Sequence, residues 1–533
     1  MKWRLRRLKL AIGLAFTSLP RALAKDYCTA NQTCWPSSDT WSSFNSSVGG
    51  QLVTPRPPGW VCHDPNYDEI ACNNVKANWN SSFWRADQSG AMMNIFWDSP
   101  GCSVNTPRNT PCEQGFVPVY SVDARHEYHV SEAVKFAVEH NLRLVIKNTG
   151  HDFLGRSSAE GSLSIWTHHL KGINFTDSFI GVGCSDNEVA RPAVTIGAAE
   201  LWIDVYKAAN DRNATVVGGA AYSVGAARGW VQGGGHSPIS GLYGLGVDNA
   251  LQFRVVKPDG QVVMANKCQN QDLFWALRGG GGNQVTLDVT CKTHPPVNSS
   301  VVAMTINTTN TEKLSELSEV FLRALPNITD QGLRGYGAWV WPNSFSMLWI
   351  HPNSPSLGST NSTLRPIYDW IEDNNGTKVL LVATTHLTYY DMFTTYITAA
   401  PAEVQPFWFG TRLVSRNDLA AKSKELVKYI FGDGVNQIVS FNLIGGGAFI
   451  TAWAVNATSE EIRRLQANVT NVVQEFDKLT GLGSAAYFNE ADPLEPQWRK
   501  SFFGSHYDRL LEIKQQVDPK GLFTCNRCVG WDQ

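Results

Sequence analysis

The sequence predicts an α+β protein of two domains. Its 533 residues are too many for one ordinary hydrophobic core. From residue 118 to about 297, short apolar strands alternate with amphipathic helices, and a second run of strands and helices extends from about 298 to 480. Residues 25–117 are instead rich in Ser, Asn, Pro, Trp and Cys and have little periodicity. They are predicted to form a disulfide-pinned wrap and no separate core.

The N-terminus has the pattern of a secretory signal peptide. Five basic residues precede the short apolar stretch Leu10–Leu19, and Ala22-Leu23-Ala24 forms a small-residue cleavage site. The alternative is an uncleaved membrane anchor, but about ten apolar residues are too few to span a bilayer comfortably. We therefore expect residues 1–24 to be removed.

The charge balance bears on the partners of the mature chain. Removal of residues 1–24 takes away six of the 45 Lys and Arg and none of the 47 Asp and Glu, which leaves a formal charge of −8. Such a balance argues against nucleic acid or an anionic membrane as a partner. No other window approaches the roughly 20 apolar residues that a transmembrane helix needs.

Sequons and cysteines agree with a secreted protein, although retention in a vacuole or another endomembrane lumen stays open. Twelve N-x-[ST] sequons are spread from Asn31 to Asn468. Proximity in sequence suggests four disulfides, adds Cys268/Cys291 as a further candidate, and leaves Cys184 over. The four pairs are Cys28/Cys34, Cys62/Cys72, Cys102/Cys112 and Cys525/Cys528. No metal site is expected, because H-E-Y-H at His126–His129 lacks the i, i+4 spacing of a metal-binding helix.

The helices and strands follow from hydrophobic periodicity and capping signals. We expect helices at 131–141 (capped by Ser131), 199–209, 272–277 and 498–517, and strands at 142–146, 194–196, 215–217, 251–256 and 262–265. Pro258-Asp259-Gly260 supplies the turn between the last two strands. Aromatic clusters such as Trp339/Trp341, Tyr389/Tyr390 and Phe407–Phe409 lie in the second domain, which is expected to carry much of the substrate pocket.

The stretch Leu142–Ser157, L-R-L-V-I-K-N-T-G-H-D-F-L-G-R-S, is the most informative for function. A buried strand leads into a polar loop, which is where α/β proteins place cofactor chemistry. Gly150 and Gly155 let the backbone approach a ligand, successive N–H groups can bind phosphates, and Arg156 adds a forked charge. His151 is the side chain suited to nucleophilic or proton-transfer work. The alternative interpretation is a glycine-rich turn with a solvated histidine.

Glycine is dense in two further places, at Gly233–Gly246 and Gly279–Gly282. Such density indicates backbone that passes close to something flat or bulky, or else a set of tight turns. No G-x-G-x-x-G follows a strand, so a Rossmann site is not supported. No G-x-S-x-G nucleophile elbow is present, which weakens a hydrolase interpretation.

Four motifs occur together in order: N-T-G-H-D-F-L-G-R-S, G-G-G-H-S-P, L-F-W-A-L-R-G-G-G-G and a tail from Y-F-N-E-A-D to G-L-F. With this order and spacing, the chain from about Pro118 to Trp531 resembles the FAD-linked oxidases of the vanillyl-alcohol-oxidase type, in their berberine-bridge-enzyme-like branch. The resemblance implies a two-domain FAD-binding fold. An FAD domain would comprise residues 118–297 and 481–533, and the inserted segment 298–480 would form a substrate domain over the flavin.

The resemblance also implies the cofactor site. The histidine of G-H-D carries FAD covalently through its 8α-methyl group in this family, so His151 inherits that role. A second tether, a cysteine eight residues before the histidine of G-G-H, is replaced here by Arg228, so attachment through His151 alone is expected. The glycine run ends two residues earlier than in relatives, at Gly282, which predicts altered local contacts with the flavin. The expected cofactor-binding residues are Lys147, Asn148, Thr149, Gly150, His151, Asp152, Gly155, Arg156, Ser157, Gly234, Gly235, His236, Ser237, Gly244 and Asn489.

The implied activity is that of an oxidase acting on an alcohol or related C–H group of a small molecule. A base removes a proton while hydride passes to flavin N5, and O2 then reoxidises the flavin to give hydrogen peroxide. Tyr487 and Glu490, in the tail motif, are the candidate catalytic residues, and fungal secondary-metabolite biosynthesis is the expected setting. The alternatives are a carbohydrate or small-alcohol oxidase, an oxidative cyclase of a natural product, or a secreted binding glycoprotein without activity.

Overall fold

The computed structural model describes residues 27–99, 101–281, 284–340, 342–374, 378–397, 404, 406–432, 438–443, 446–452, 457–480 and 485–531. The predicted signal peptide, Trp341 and the sequons at Asn375 and Asn456 lie outside these residues. Within the described part of the chain the strands form three sheets.

The first sheet has four strands in the order β1-β2-β4-β3. Strand β4 pairs in parallel with β2 and β3, while β1 pairs antiparallel with β2. Helix α4 crosses between β2 and β3 and buries its apolar face on them. Its elements are α1 (Ser38–Ser47), β1 (Leu52–Val53), α2 (Glu69–Asn78), α3 (Ser82–Ala86), β2 (Tyr120–Asp123), α4 (Glu127–Glu139), β3 (Leu144–Lys147) and β4 (Leu163–Trp166).

The N-terminal segment packs directly into this first core. On α1, Trp41 and Phe44 are both buried, and the Phe44 ring stacks on Phe136 of α4 with 4.0 Å between centroids. Burial of two large aromatic side chains contributes several kcal/mol, at roughly 1.5–3 kcal/mol each. The segment therefore stabilises the sheet that carries the loop after β3.

The second sheet has five antiparallel strands in the order β5-β6-β9-β7-β8. A loop rich in short helices, residues 219–249, lies between α5 and β7. Its elements are β5 (Ile173–Phe179), β6 (Arg191–Gly197), α5 (Trp202–Asn210), α6 (Gly229–Gln232), α7 (Ser240–Tyr243), α8 (Gly246–Asn249), β7 (Ala250–Val256), β8 (Val262–Asn266), α9 (Gln271–Leu277) and β9 (Val285–Lys292).

The third sheet, called the roof sheet below, has seven antiparallel strands in the order β13-β10-β12-β11-β15-β16-β14. Helices α10, α12, α15 and α16 cover one of its faces. Its elements are β10 (Asn298–Asn307), α10 (Thr311–Asp330), β11 (Arg334–Val340), β12 (Ser344–Pro352), α11 (Leu357–Thr363), α12 (Arg365–Asp373), β13 (Lys378–Thr388), α13 (Tyr389–Met392), β14 (Phe407–Leu413), α14 (Arg416–Ala421), α15 (Ser423–Phe431), β15 (Ile438–Asn442), β16 (Gly446–Ala452) and α16 (Ser459–Asp477).

The tail segment, residues 485–531, contains α17 (Trp498–Phe503) and α18 (Tyr507–Val517). Buried polar contacts fasten it to the roof sheet. Arg412 of β14 pairs with Glu495 of the tail at 2.7 Å, and both side chains are 1% exposed. Asp492 of the tail accepts hydrogen bonds from Trp408 Nε1 (2.9 Å) and Thr470 Oγ1 (2.6 Å). Roof and tail therefore share one fixed relative position.

Three expectations about local structure are wrong. Helix α4 begins at Glu127, four residues before Ser131, because His129 and Val130 extend its buried face. Residues 215–217 make only an isolated bridge, Thr215 to His294, and are no strand. The helix predicted over 498–517 is two helices, because Gly504 adopts a positive φ of 54° that ends α17.

The disulfides correct one pairing. All four pairs expected from proximity form. Cys268, however, bonds Cys184 across 84 residues, and Cys291 is a buried free thiol. The reason is spatial: Asn266 at the end of β8 donates from Nδ2 to Val182 O at 2.9 Å, which holds the segment after β5 against β8. Cys291 points into the core behind the same sheet.

Candidate functional site: a cavity beneath the roof sheet

A cavity of about 650 Å³ lies where the loop after β3, the 219–236 loop, the roof sheet and the tail segment meet. The two loops form what we call its floor, and side chains of β11, β14 and β15 lie above it. The tail segment contributes residues 486–490. Concave sites at the junction of several elements are where small molecules and cofactors usually bind.

Asp152 organises the loop after β3. Its carboxylate accepts hydrogen bonds from the backbone N–H groups of Leu154 (3.0 Å), Ser157 (2.7 Å) and Arg156. It also pairs with the Arg156 guanidinium at 3.4 Å. One carboxylate thus bonds three residues of the loop beside His151 and fixes the backbone from Asp152 to Ser157.

His151 lies in the cavity wall. Its Nε2 is 2.8 Å from Ser223 Oγ, whose residue is only 1% exposed. Among the described residues its other ring nitrogen, Nδ1, has no hydrogen-bond partner. Burial, and to a smaller extent the nearby Lys147, lowers the pKa of the His151 imidazole to about 4. The ring is therefore neutral at physiological pH, which is the state in which a nitrogen lone pair can act as a nucleophile.

Asn489 connects the tail to the floor. Its Nδ2 donates to Gly229 O at 2.9 Å and to Tyr487 Oη at 3.0 Å, and its Oδ1 accepts from Arg156 at 3.4 Å. A side chain on Gly233 would collide with this amide, since a Cβ there would lie 2.4 Å from Nδ2. The glycine is thus required by the close approach of the tail.

Eleven of the fifteen expected cofactor-binding residues line the cavity, as do Tyr487 and Glu490. The other four are not among the lining residues. Lys147 is buried and donates to Gln88 O at 3.0 Å, and burial lowers its pKa to about 7. Gly155 and Gly244 adopt positive φ at tight turns, and Ser237 Oγ is 3.4 Å from Tyr389 Oη. The lining residues are Asn148, Thr149, Gly150, His151, Asp152, Arg156, Ser157, Gly234, Gly235, His236 and Asn489.

His236 is at the centre of a polar cluster on the tail side of the cavity. Its Nε2 is 3.1 Å from Glu490 Oε1, and its Nδ1 is 3.4 Å from Tyr336 Oη of β11. The Tyr487 ring lies 5.2 Å from the imidazole, centroid to centroid. Acid, imidazole and two phenols therefore meet at one place in the cavity wall.

The two phenols of this cluster are neutral. Burial raises the pKa of Tyr487 and of Tyr336, and the Glu490 carboxylate raises both further. Both hydroxyl groups therefore keep their protons at neutral pH. Groups that accept protons in this cluster have to be sought in Glu490 and His236.

Ser223, Tyr336 and Phe441 line the cavity but carry no motif, and they were not singled out by the sequence analysis. Arg228 entered it only as the position that lacks a cysteine. Of the aromatic clusters noted there, Phe409 lines the cavity, whereas Trp339, Tyr389 and Phe407 are buried in cores.

The short glycine run after Leu277 is described only up to Gly281, so the expected change in flavin contacts falls partly outside the described residues. Within them, Gly281 has a φ of 84° and a Cβ there would lie 2.7 Å from the Phe488 ring. The described helices include none long and apolar enough to cross a membrane. The described side chains also form no cluster of three or more metal-ligand types.

The residues of the cavity fit a dinucleotide cofactor. Asn148 Oδ1 is buried without a hydrogen-bond partner among the described residues. The side chain of Arg228, which also lines the cavity, forms no hydrogen bond or ion pair with a described residue. Together with His151 Nδ1, they leave polar groups at the cavity that a polar ligand can satisfy. A Cβ on Gly225 would lie 2.2 Å from Asn148 Nδ2, so the floor tolerates no side chain at that glycine.

Comparison with known proteins agrees with this site. A family model described as FAD binding domain matches residues 118–266, and one described as berberine and berberine like matches residues 486–530. An uncharacterized FAD-linked oxidoreductase of Arthroderma benhamiae is 39% identical over 95% of this chain and 94% of its own length. FAD-linked oxidoreductase patO of Aspergillus clavatus is 33% identical over 94% of this chain and 91% of its own length.

The VAO-type flavoprotein MtVAO615 of Myceliophthora thermophila C1 has a similar structure. Its TM-score is 0.86 at 28% identity, over 95% of this chain and 97% of that one. This likeness and the FAD-binding match confirm the predicted α+β, two-domain FAD-binding fold. The chain therefore belongs to the FAD-linked oxidoreductases of the vanillyl-alcohol-oxidase type, in their berberine-bridge-enzyme-like branch, and is an enzyme that uses FAD.

Proposed function

We propose that this enzyme is an oxidase that takes hydride from an alcohol or related C–H group of a small molecule, with FAD attached covalently through His151 alone. The observation that carries the proposal is that His151 and the Glu490–His236 pair line the same cavity. Bound FAD supplies the redox chemistry, accepting hydride at N5 and passing the electrons to O2 to give hydrogen peroxide. The protein supplies the tether, the orientation and the proton acceptor.

The state of His151 supports its role as the tether. A neutral imidazole with one nitrogen hydrogen-bonded to Ser223 presents the other as a nucleophile. If Nε2–H donates to Ser223 Oγ, the Nδ1 lone pair is the free one. Arg228, at the position where some relatives carry a second tethering cysteine, cannot form such a bond. These features support attachment at one residue.

The proton acceptor is assigned to Glu490 acting with His236. The two groups are 3.1 Å apart, within the range in which a proton can pass between them. Tyr487 is the less suitable base, since burial keeps its hydroxyl protonated. Its Oη accepts a hydrogen bond from Asn489, so its own proton can be donated to a substrate oxygen and orient it. Tyr487 is thus proposed to position the substrate.

The roof side of the cavity bears on the substrate class. Phe409, Phe441 and Tyr336 present aromatic surface, and Trp230 is the one tryptophan among the described lining residues. Aromatic surface of this kind suits an apolar or aromatic small molecule. FAD-linked oxidoreductases of Aspergillus, Penicillium and Gibberella are among the relatives. A role in fungal secondary-metabolite biosynthesis is proposed on that basis.

The proposed location is the secretory pathway, with release from the cell. Five disulfides among the described residues favour an oxidising compartment. Signal-peptide cleavage is tested by N-terminal sequencing of the protein recovered from the medium of its host. An N-terminus at Lys25 is expected, and retention of residues 1–24 on the recovered protein contradicts it.

The proposed function is tested on the purified full-length protein. It should be yellow, and its flavin should stay with the polypeptide after acid precipitation. Addition of small alcohols and aromatic alcohols under air should release hydrogen peroxide, measured with a peroxidase-coupled dye. Flavin that appears in the acid supernatant contradicts the covalent bond. Flavin reduction by a substrate without peroxide release contradicts the oxidase assignment.

A further inference from the structure

Arg228 differs from every other charged residue of the cavity wall. It is 8% exposed, lines the cavity, and forms no hydrogen bond, ion pair or ring contact through its side chain with any described residue. The other cavity arginine, Arg156, pairs with Asp152, contacts Asn489 and lies over the Phe488 ring at 4.1 Å. The contrast is therefore between a guanidinium that is paired and one that has no partner among the described residues.

A buried charge without a partner is costly. Removal of an ion from water costs several kcal/mol unless hydrogen bonds and an opposite charge compensate for it. Burial lowers the pKa of Arg228 only to about 9, against an opposing effect of Asp152, so the side chain remains charged at neutral pH. A residue of this kind is tolerated where a ligand completes its environment.

The charges around the cavity point to the sign of that ligand. Asp152 is used by Arg156 and by three backbone N–H groups, and Glu490 lies against His236. Arg228 is the one of these charged side chains that has no hydrogen-bond or ion-pair partner among the described residues. A buried positive side chain in this state calls for an anionic ligand.

We propose that Arg228 is an anion-binding residue, which takes an oxyanion, a phosphate or a carboxylate, in the fork of its guanidinium. The planar fork matches both groups in a bidentate fashion. The inference rests on the proposed function to the extent that cofactor and substrate share this cavity. Two sources of the anion fit the chemistry: the pyrophosphate of FAD, or an acidic group on the substrate. Arg228 occupies the position where some relatives form a second covalent bond to the flavin, and there this chain binds an anion through charge instead.

The test uses the full-length protein with His151→Ala, so that FAD is exchangeable. Arg228→Met is added to it, with Arg228→Lys to retain charge without the fork. Arg323→Met, at an exposed arginine of α10, is the matched control. Dissociation constants are measured for FAD, for riboflavin, which lacks phosphate, and for benzoate as a carboxylate probe on the FAD-loaded protein.

Arg228→Met should weaken the binding of FAD or of benzoate by about tenfold or more. The loss of affinity should be smaller in Arg228→Lys and absent in Arg323→Met. Riboflavin should bind as before. Weaker binding of FAD identifies the cofactor phosphate as the anion, whereas weaker binding of benzoate alone identifies a substrate carboxylate. Unchanged FAD and benzoate, within about twofold, overturn the proposal.

A second measurement does not depend on the folding of an Arg228 variant. Inorganic pyrophosphate or benzoate should raise the melting temperature of the FAD-free His151→Ala protein, because a ligand that binds the native state stabilises it. No rise with either anion overturns the anion site. A wild-type protein that keeps its flavin in acid while all these tests fail leaves the proposed function intact. A wild-type protein without flavin refutes the proposed function instead.

Discussion

The two sides of the cavity are built differently. The floor is held by side chains that bond to backbone: Asp152 to three N–H groups, Asn489 to Gly229 O, and Asn148 to Ala198 O at 2.6 Å. The roof meets the cavity with aromatic side chains, Phe409 and Phe441 among them, whose positions depend on packing. The floor can hold a constant cofactor rigidly, while the roof can change its side chains and with them the substrate.

His151→Ala should remove all covalently bound flavin, because no other described lining residue is placed as a tether. The measurement is flavin fluorescence of the polypeptide on a denaturing gel. His506→Ala, at an exposed histidine before α18, should leave the attachment complete. Covalent flavin that persists in His151→Ala would falsify the assignment of the tether.

Covalent attachment of FAD should continue at a lower pH than a histidine with an ordinary pKa would allow. Since burial lowers the pKa of His151 to about 4, the imidazole stays neutral above that pH and is lost as a nucleophile only when the pH falls through about 4. Incorporation of FAD into apoprotein from riboflavin-starved cells should therefore vary little between pH 8 and pH 5. A decline centred near pH 6.5 contradicts the buried, neutral imidazole.

Glu490→Gln should lower kcat by roughly 10²–10⁴-fold, which is the usual contribution of a general base. The flavin content should remain that of the wild type, because the floor is intact. Glu512→Gln, at an exposed glutamate of α18, serves as the control with unchanged kcat. If Glu490→Gln has the kcat and the pH profile of the wild type, the proton acceptor is not in the tail segment.

Asp152→Ala should destabilise the floor. Loss of a carboxylate that accepts three backbone hydrogen bonds is expected to lower the free energy of unfolding by about 2–4 kcal/mol. Urea denaturation in the His151→Ala background isolates this effect from flavin attachment. Asp204→Ala, at an exposed position in the first turn of α5, should change stability by less than about 0.5 kcal/mol. Equal losses in the two variants argue against a special role of Asp152.

Tyr336→Phe should have the smallest effect. The hydroxyl is 3.4 Å from His236 Nδ1, a long contact, so its removal is expected to change kcat/KM by less than about fivefold. Because Tyr336 belongs to the roof, the change should differ from one substrate to the next, as seen in peroxide assays on several alcohols. A loss of activity as large as that in Glu490→Gln would mean that a roof residue takes part in proton transfer. The roof would then do more than select the substrate.

The same division explains how far the sequence could be interpreted. His151 and its loop were recognisable because close backbone approach restricts which residues fit, and the restriction leaves a motif. Tyr336 and Phe441 left none, because many apolar side chains satisfy a packed strand. The Cys184–Cys268 bond was missed for a related reason: proximity in sequence does not reveal that the chain after β5 returns to the end of β8. Gly504, in turn, ended a helix that periodicity alone extended.

The buried ion pair of Arg412 with Glu495 limits how the enzyme can open. To swing the roof away from the tail, the guanidinium would have to leave a carboxylate with which it is fully buried, at a cost of about 3–5 kcal/mol. At that cost the swung-out form is populated in fewer than about one molecule in a hundred. Any rearrangement that admits a substrate therefore either keeps the Arg412–Glu495 pair intact, so that roof and tail move as one unit, or includes the cost of breaking it.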